Sequence, residues 1–235
     1  MARAATPPRP KAATSAELRH RECWIFDLDN TLYSASTNLF AEVDRRITDY
    51  IAQFLAIDPV AARNLQKRYF REHGTSLRGL MSLHNMNPGP FLDYVHDIDL
   101  SRLKADRRLD QALGRLSGRK IIFTNADLAH ARRILARLEV AHHFEAVFDI
   151  ADADYRPKPE PAVYEQLVRR FEVAPARAVM VEDIAVNLAP AAAMGMATVW
   201  VRSAEHWANP GSDSSHVHHV CDDLPAWLEA MTISE

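Results

Sequence analysis

The chain has 235 residues, 48% hydrophobic and 25% charged, with a formal net charge of −3. That suffices for one large domain, or for a core domain with a smaller insertion, and supplies enough apolar residues for a sizeable core. It gives no electrostatic reason to expect nucleic acid or an anionic membrane as partner.

The first 20 residues, "MARAATPPRPKAATSAELRH", are basic, rich in Ala and Pro, and lack the apolar centre of a secretory signal. They are expected to form a disordered tail, since Pro7, Pro8 and Pro10 would break the amphipathic helix of a transit peptide. The run "CWIF" (23–26) predicts a first strand. A long segment then reads only as helices. Asp58-Pro59 has the form of an N-cap followed by Pro at the first helical position, and "VAARNLQKRYFREHG" runs on to a glycine stop. Asn87-Pro88 begins another helix in the same way, and "DRRLDQALGRL" (106–116) has apolar residues at helical spacing.

After Gly118 the pattern alternates. "KIIFT" (120–124), "FEAVFDI" (144–150), "AVMVE" (178–182) and "ATVWV" (197–201) read as strands, with "HHVCDD" a short final one; helical stretches separate the first four. Apolar strands alternating with helices predict a parallel sheet covered on both faces. The expected fold is α/β: a Rossmann-like core from 21–33 and 118–235, with an all-helical cap, 34–117, inserted between the first and second strands. No apolar run approaches the roughly 20 residues needed to span a bilayer. Two cysteines, Cys23 and Cys221, make no disulfide framework, and a cytoplasmic location fits best.

In open parallel sheets, ligands bind beyond the carboxyl ends of the strands. Those ends carry Asp27 and Asp29, then Thr124 and Asn125, then Glu182 and Asp183, with Lys158 in the loop "RPKPEP". Each alone has an ordinary structural explanation. Asp-x-Asp can be a turn, Thr124 or Asp127 a helix cap, Lys158 a solvated loop cation, and Glu182-Asp183 a loop start. Together they supply what phosphoryl transfer needs. Clustered carboxylates call for a cation, and magnesium favours hard oxygen ligands. One carboxylate can attack phosphorus while a second carboxylic acid protonates the leaving group. A lysine and a hydroxyl can bind the phosphoryl oxygens.

"FDLDNTLY", "IFTNA", "KPEPAVYE" and "VMVEDIAVN" resemble the four successive motifs of the haloacid dehalogenase-like phosphohydrolases. The helical insertion is similar to the cap of their phosphoglycolate-phosphatase-like subclass. "GTSLRGLM", "YVHDIDLS" and "TNADLAHARRIL" resemble the pyrimidine 5′-nucleotidase branch. The resemblance implies Asp27 as nucleophile and Asp29 as general acid/base. It implies Thr124 and Lys158 on the phosphoryl group, with Asn125 assisting through the loop. Magnesium would be held by Asp27, the Asp29 backbone carbonyl and Asp183. Glu182 would bind a metal water or pair with Lys158, and Asn187 stands where many relatives have a further aspartate. Dehalogenases of this fold expel halide, which needs no proton, and lack the second aspartate; Asp29 therefore favours a phosphatase.

The expected substrate is a small phosphorylated metabolite, a nucleoside 5′-monophosphate first. Phosphoglycolate, a sugar phosphate or pyridoxal phosphate is the alternative, and a non-catalytic phosphate-binding module a third reading. Arg78 is the cap residue expected to face the substrate, ahead of His84 and His96. Phe40, Tyr69 and Phe70 are expected in the cap's own core. Cap movement is expected about segments near 33–36 and 115–119, with Gly118 as a hinge.

Overall fold

The computed structural model describes residues 18–202 and 208–233. Six strands, β1 (Cys23–Phe26), β2 (Arg119–Phe123), β3 (Ala146–Phe148), β4 (Ala178–Glu182), β5 (Ala197–Val201) and β6 (His219–Cys221), form one sheet in the order β3-β2-β1-β4-β5-β6. Every pairing is parallel, and Phe26 at the end of β1 sits level with Ile122 and Val181. The strands are short, and the central ones, β1, β4 and β5, are largely apolar and buried throughout, while the edge strands β3 and β6 are partly exposed. Because successive side chains alternate across a strand, Trp24 and Phe26 enter one core cluster and Cys23 and Ile25 the other.

Between β1 and β2 run α1 (Leu39–Leu55), α2 (Pro59–His73), α3 (Ser76–His84), α4 (Pro88–His96) and α5 (Arg107–Arg115). The starts follow the local chemistry. Asp58 accepts from the Val60 and Ala61 amides ahead of Pro59, Asn87 accepts from Gly89 ahead of Pro88, and Thr75 accepts from Arg78. The first four helices share an apolar centre of their own, built on Ile51, Tyr69, Leu80, Phe91 and Val95, and they form the cap. Tyr69 takes its expected place in that centre, whereas Phe40 and Phe70 do not belong to it.

The remaining helices after β2 are α6 (Leu128–Leu138), α7 (Pro161–Arg170), α8 (Leu188–Ala193) and α9 (Leu224–Ile233). On one face of the sheet lie α5, α6 and α9, through residues such as Leu113, Ile134 and Leu228. On the other lie α7 and α8, through Tyr164, Leu167 and Leu188. No helix among the described residues is long and apolar enough to cross a membrane.

Three sequence-based boundaries change. Residues 1–17 of the expected tail lie outside the described residues, but Leu18 is fully buried in the core, so packing begins before residue 21. The helix at 107–115, assigned above to the cap, packs on the sheet instead. Leu109, Ala112 and Leu113 sit in the same cluster as Trp24 and Phe26, and Arg108 pairs with Glu229 of α9. Ile98 and Leu103 join that cluster too, so the second cap connection runs through 97–106. Gly118 is therefore not a hinge between the two bodies. It sits at the foot of β2 with φ +87°, where a Cβ would fall 2.6 Å from the Arg21 carbonyl oxygen.

Candidate active site

The carboxyl ends of β1, β2 and β4 meet at the centre of the sheet, which brings together the residues singled out at those positions. Asp27 follows β1 directly, its amide still donating to the Val181 carbonyl at 2.9 Å, so the sheet itself fixes its backbone. Its carboxylate is buried, with Oδ2 accepting from the Thr31 hydroxyl at 2.8 Å and Oδ1 from Lys158 Nζ at 2.6 Å. Lys158 is not a solvated loop cation. Its ammonium is buried and also donates to Glu182 Oε2 at 2.7 Å and to the Phe123 carbonyl at 2.9 Å. Glu182 thus pairs with Lys158, one of the two roles open to it, and also stands in the carboxylate cluster beside Asp27 and Asp183. Asn125 holds the loop: its Oδ1 accepts from the Lys158 amide at 2.8 Å.

Asp127, not Thr124, caps α6 by accepting from the His130 amide. Thr124 is buried, and its Oγ1 accepts from the Ala126 amide at 3.0 Å, which leaves the hydroxyl proton to donate elsewhere. Asn187 is buried at the start of α8, where its carbonyl accepts from Tyr164, and it lines the cavity described below.

Electrostatically the site is short of positive charge. Burial and the neighbouring Glu182 push the Asp27 carboxyl up to about 7, against the pull of Lys158. The same burial, with Glu182 and Asp27, raises Asp183 well above the usual carboxylate range. Burial works against the Lys158 charge, but Asp27 and Glu182 more than offset it and raise its proton affinity. Asp27, Glu182 and Asp183 each bring a carboxylate oxygen within 4.8 Å of the others, and Asp183 Oδ2 is buried with no hydrogen-bond partner among the described residues. An orphaned carboxylate oxygen in a cluster served by one lysine is a donor set that fits a hard divalent cation.

Asp29 is held quite differently. Its Oδ1 accepts from both Tyr33 OH at 2.6 Å and His130 Nε2 at 2.9 Å. Burial alone would raise this carboxyl, but the His130 charge, its hydrogen bond and that of Tyr33 prevail and hold it at about 2.

Above these residues, a cavity of about 590 Å³ extends into the cap. Phe40, Ile47, Phe70, Phe91 and Val95 contribute apolar walls, and Asp44, Arg63 and Lys67 a charged group. Asp44 accepts from Lys67 at 2.8 Å and from Arg63, and Gln66 Nε2 donates to it at 2.7 Å. The expectation for Arg78 is not met. On α3 the buried Leu77 and Leu80 turn into the cap centre, and Arg78 does not line the cavity. His84 pairs with Tyr69 in the cap, whereas His96 does line the cavity. Arg63, Gln66 and Lys67 were missed in the sequence although they had a signal: with Phe70, expected in the cap core instead, they stand at i, i+3, i+4 and i+7, one stripe of a helix. Tyr33 stands four residues from Asp29 in the same loop, whereas His130 had no signal, because its contact with Asp29 depends on how α6 docks.

The family model described as a hydrolase, haloacid dehalogenase-like hydrolase, matches residues 22–195. The chain is 28% identical over 197 residues to phosphate metabolism protein 8 of Saccharomyces cerevisiae, a match covering 76% of this chain and 61% of the yeast protein. It thus spans about three fifths of that relative's length. It is 25% identical over 238 residues to glyceraldehyde 3-phosphate phosphatase of Pyrococcus furiosus, covering 91% and 94% of the two chains. A solved HAD phosphatase from Thermococcus onnurineus shares the fold, with a TM-score of 0.61 and 19% identity over 89% of this chain and 97% of that one. A family match running from β1 through α8, over the strand ends where Asp27, Lys158 and Asp183 converge, shows that the chain belongs to the haloacid dehalogenase-like hydrolases.

Proposed function

We propose that this hydrolase is a magnesium-dependent phosphomonoesterase that works through an aspartyl phosphate on Asp27, with nucleoside 5′-monophosphates as its substrates. The observation that carries the reading is the different setting of the two neighbouring aspartates. Lys158 and Thr31 engage both oxygens of Asp27, while Tyr33 and His130 engage only Oδ1 of Asp29. One carboxylate is oriented for attack, and the other keeps an oxygen for a proton.

In this scheme Asp27 attacks phosphorus, and the bond from phosphorus to the leaving oxygen breaks. Asp29 protonates the leaving alkoxide, then takes a proton from the water that hydrolyses the acyl phosphate. Asp29 is strongly acidic as it stands, and a phosphate ester arriving beside it raises its proton affinity. Lys158 and the Thr124 hydroxyl bind phosphoryl oxygens. Asp27, Asp183 and the Asp29 backbone carbonyl would hold magnesium, which when bound offsets the carboxylate charge and polarises the phosphoryl group. Expulsion of halide would leave Asp29 without a task.

For the substrate, the support is the cavity. It lies within the ~300–1,000 Å³ common to small-molecule sites, and its aromatic walls with Arg63 and Lys67 suit a planar base on a sugar. The archaeal relative named for glyceraldehyde 3-phosphate favours a second reading, a smaller phosphomonoester such as a sugar phosphate, phosphoglycolate or pyridoxal phosphate. The two buried free thiols, Cys23 and Cys221, fit a cytoplasmic setting. The test is turnover, with and without magnesium, of an aryl phosphate and a panel of phosphomonoesters. We expect magnesium-dependent hydrolysis with UMP or CMP preferred. An inert protein would overturn the enzyme reading, and equal turnover of UMP, AMP and sugar phosphates the nucleotidase reading.

A further inference from the structure

We propose that His130 is a positioning residue for Asp29 and that His96, from the cap, locks it in place, so that the cap sets the proton-transferring carboxylate. The inference rests on the reading of Asp29 as acid/base. Among the described residues, the two donors to the Asp29 side chain, Tyr33 and His130, bind the same oxygen, Oδ1. With Oδ1 pinned at 2.6 and 2.9 Å, the carboxylate plane is set and Oδ2 is the oxygen left for the proton.

The two donors differ in what supports them. Tyr33 lies four residues along the same loop and moves with Asp29. His130 comes from the first turn of α6 and is almost wholly buried. Its imidazole stacks on that of His96, with centroids 4.3 Å apart and planes 23° apart. His96 is the last residue of the cap helix α4, and its Nδ1 is bonded to the carboxylate of Asp127, the residue that caps α6. The exit from α4 is tied to α6 as well, since Arg133 donates to the His96 and Ile98 carbonyls, each at 2.9 Å. An unbroken set of contacts thus runs from the cap through His96 and His130 to Asp29. If the cap swings away, His96 leaves, His130 loses its packed face, and Asp29 keeps only the donor on its own loop.

A proton donor matters when the leaving group is a poor one. Steady-state turnover of an alkyl phosphate and of 2,4-dinitrophenyl phosphate, whose phenolate leaves without protonation, therefore reads the positioning directly. We expect His130→Ala to lower kcat for the alkyl ester ~100-fold, within the range for acid–base catalysis, and for the dinitrophenyl ester only a few-fold. His130→Gln, whose amide N–H can replace Nε2–H, should recover most of the difference at a melting temperature near that of the wild type. His96→Ala should give the same asymmetry, about tenfold.

Equal losses on both esters, or a stable His130→Gln with no recovery, would overturn the positioning role. A wild-type ratio in His96→Ala would overturn the cap's part in it. Asp29→Ala keeps the two readings apart. If it too lacks the leaving-group dependence, the acid/base assignment fails; if it shows the dependence and His130→Ala does not, only the positioning proposal fails.

Discussion

The floor and the roof of the cavity are built on different principles. On the floor, the polar side chains stand at the ends of adjacent parallel strands, buried, and Lys158 is bound by two carboxylates and a carbonyl. On the roof, Arg63 and Lys67 remain nearly half exposed while they pair with Asp44, and the apolar walls come from several cap helices. Removing one partner from a buried ion pair leaves an uncompensated charge and costs roughly 3–5 kcal/mol, whereas an exposed pair is worth about 0–1 kcal/mol. The floor cannot change without loss of the chemistry or the fold. The roof can be rewritten cheaply, which suits the substrate-selecting part proposed for it.

That contrast can be broken in four ways, taken from the largest expected effect. Asp27→Asn should leave the circular dichroism spectrum and melting temperature near those of the wild type while lowering kcat about 10⁴-fold or more. Retention of a tenth of the activity would show that Asp27 is not the nucleophile. Lys158→Met removes the shared cation and leaves Asp27 and Glu182 facing each other. It should lower stability by about 3–5 kcal/mol in a urea titration and abolish turnover; a variant as stable as the wild type would mean the floor is not the rigid half.

The third concerns the metal. A carboxyl whose proton affinity is raised by folding makes the folded state bind more protons than the unfolded one. Stability is then lost as pH rises from the ordinary carboxyl range through the folded value. For Asp27 that window runs from about pH 4 to about 7, and Asp183 acts in the same direction. In chelator, the melting temperature should fall by a few degrees across this window, and magnesium should flatten the slope. An unchanged slope with saturating magnesium would remove Asp27 and Asp183 from the metal site. The smallest effect belongs to the roof. Arg63→Ala and Lys67→Ala should each change stability by less than about 1 kcal/mol, raise KM for a nucleotide about tenfold, and leave aryl phosphate turnover unaltered. Equal effects on both substrates would deny the roof its selecting role.

The strands, their parallel pairing and most of the floor could be read from the chain, because a strand end is a local feature. "CWIF" terminates at Asp27 and "KIIF" at Thr124, and a parallel sheet brings such ends together whatever surrounds them. The starts at Asp58-Pro59 and Asn87-Pro88 were legible for the same reason, since a cap is satisfied within three residues. The side chosen by a helix is not local. The apolar stripe of 107–115 has the same spacing whether it covers the cap or the sheet, and only the docking of α9 decided for the sheet. Arg78 and Arg63 both lie on amphipathic cap helices, and the direction in which each helix turns its apolar face put the second, not the first, into the cavity. His130 meets Asp29 from 101 positions away, and His96 meets Asp127 across 31. The amino-acid sequence by itself therefore determined which polar groups stand at the strand ends. The tertiary structure alone decided which helix faces close over it, because packing between helices depends on partners that no local pattern encodes.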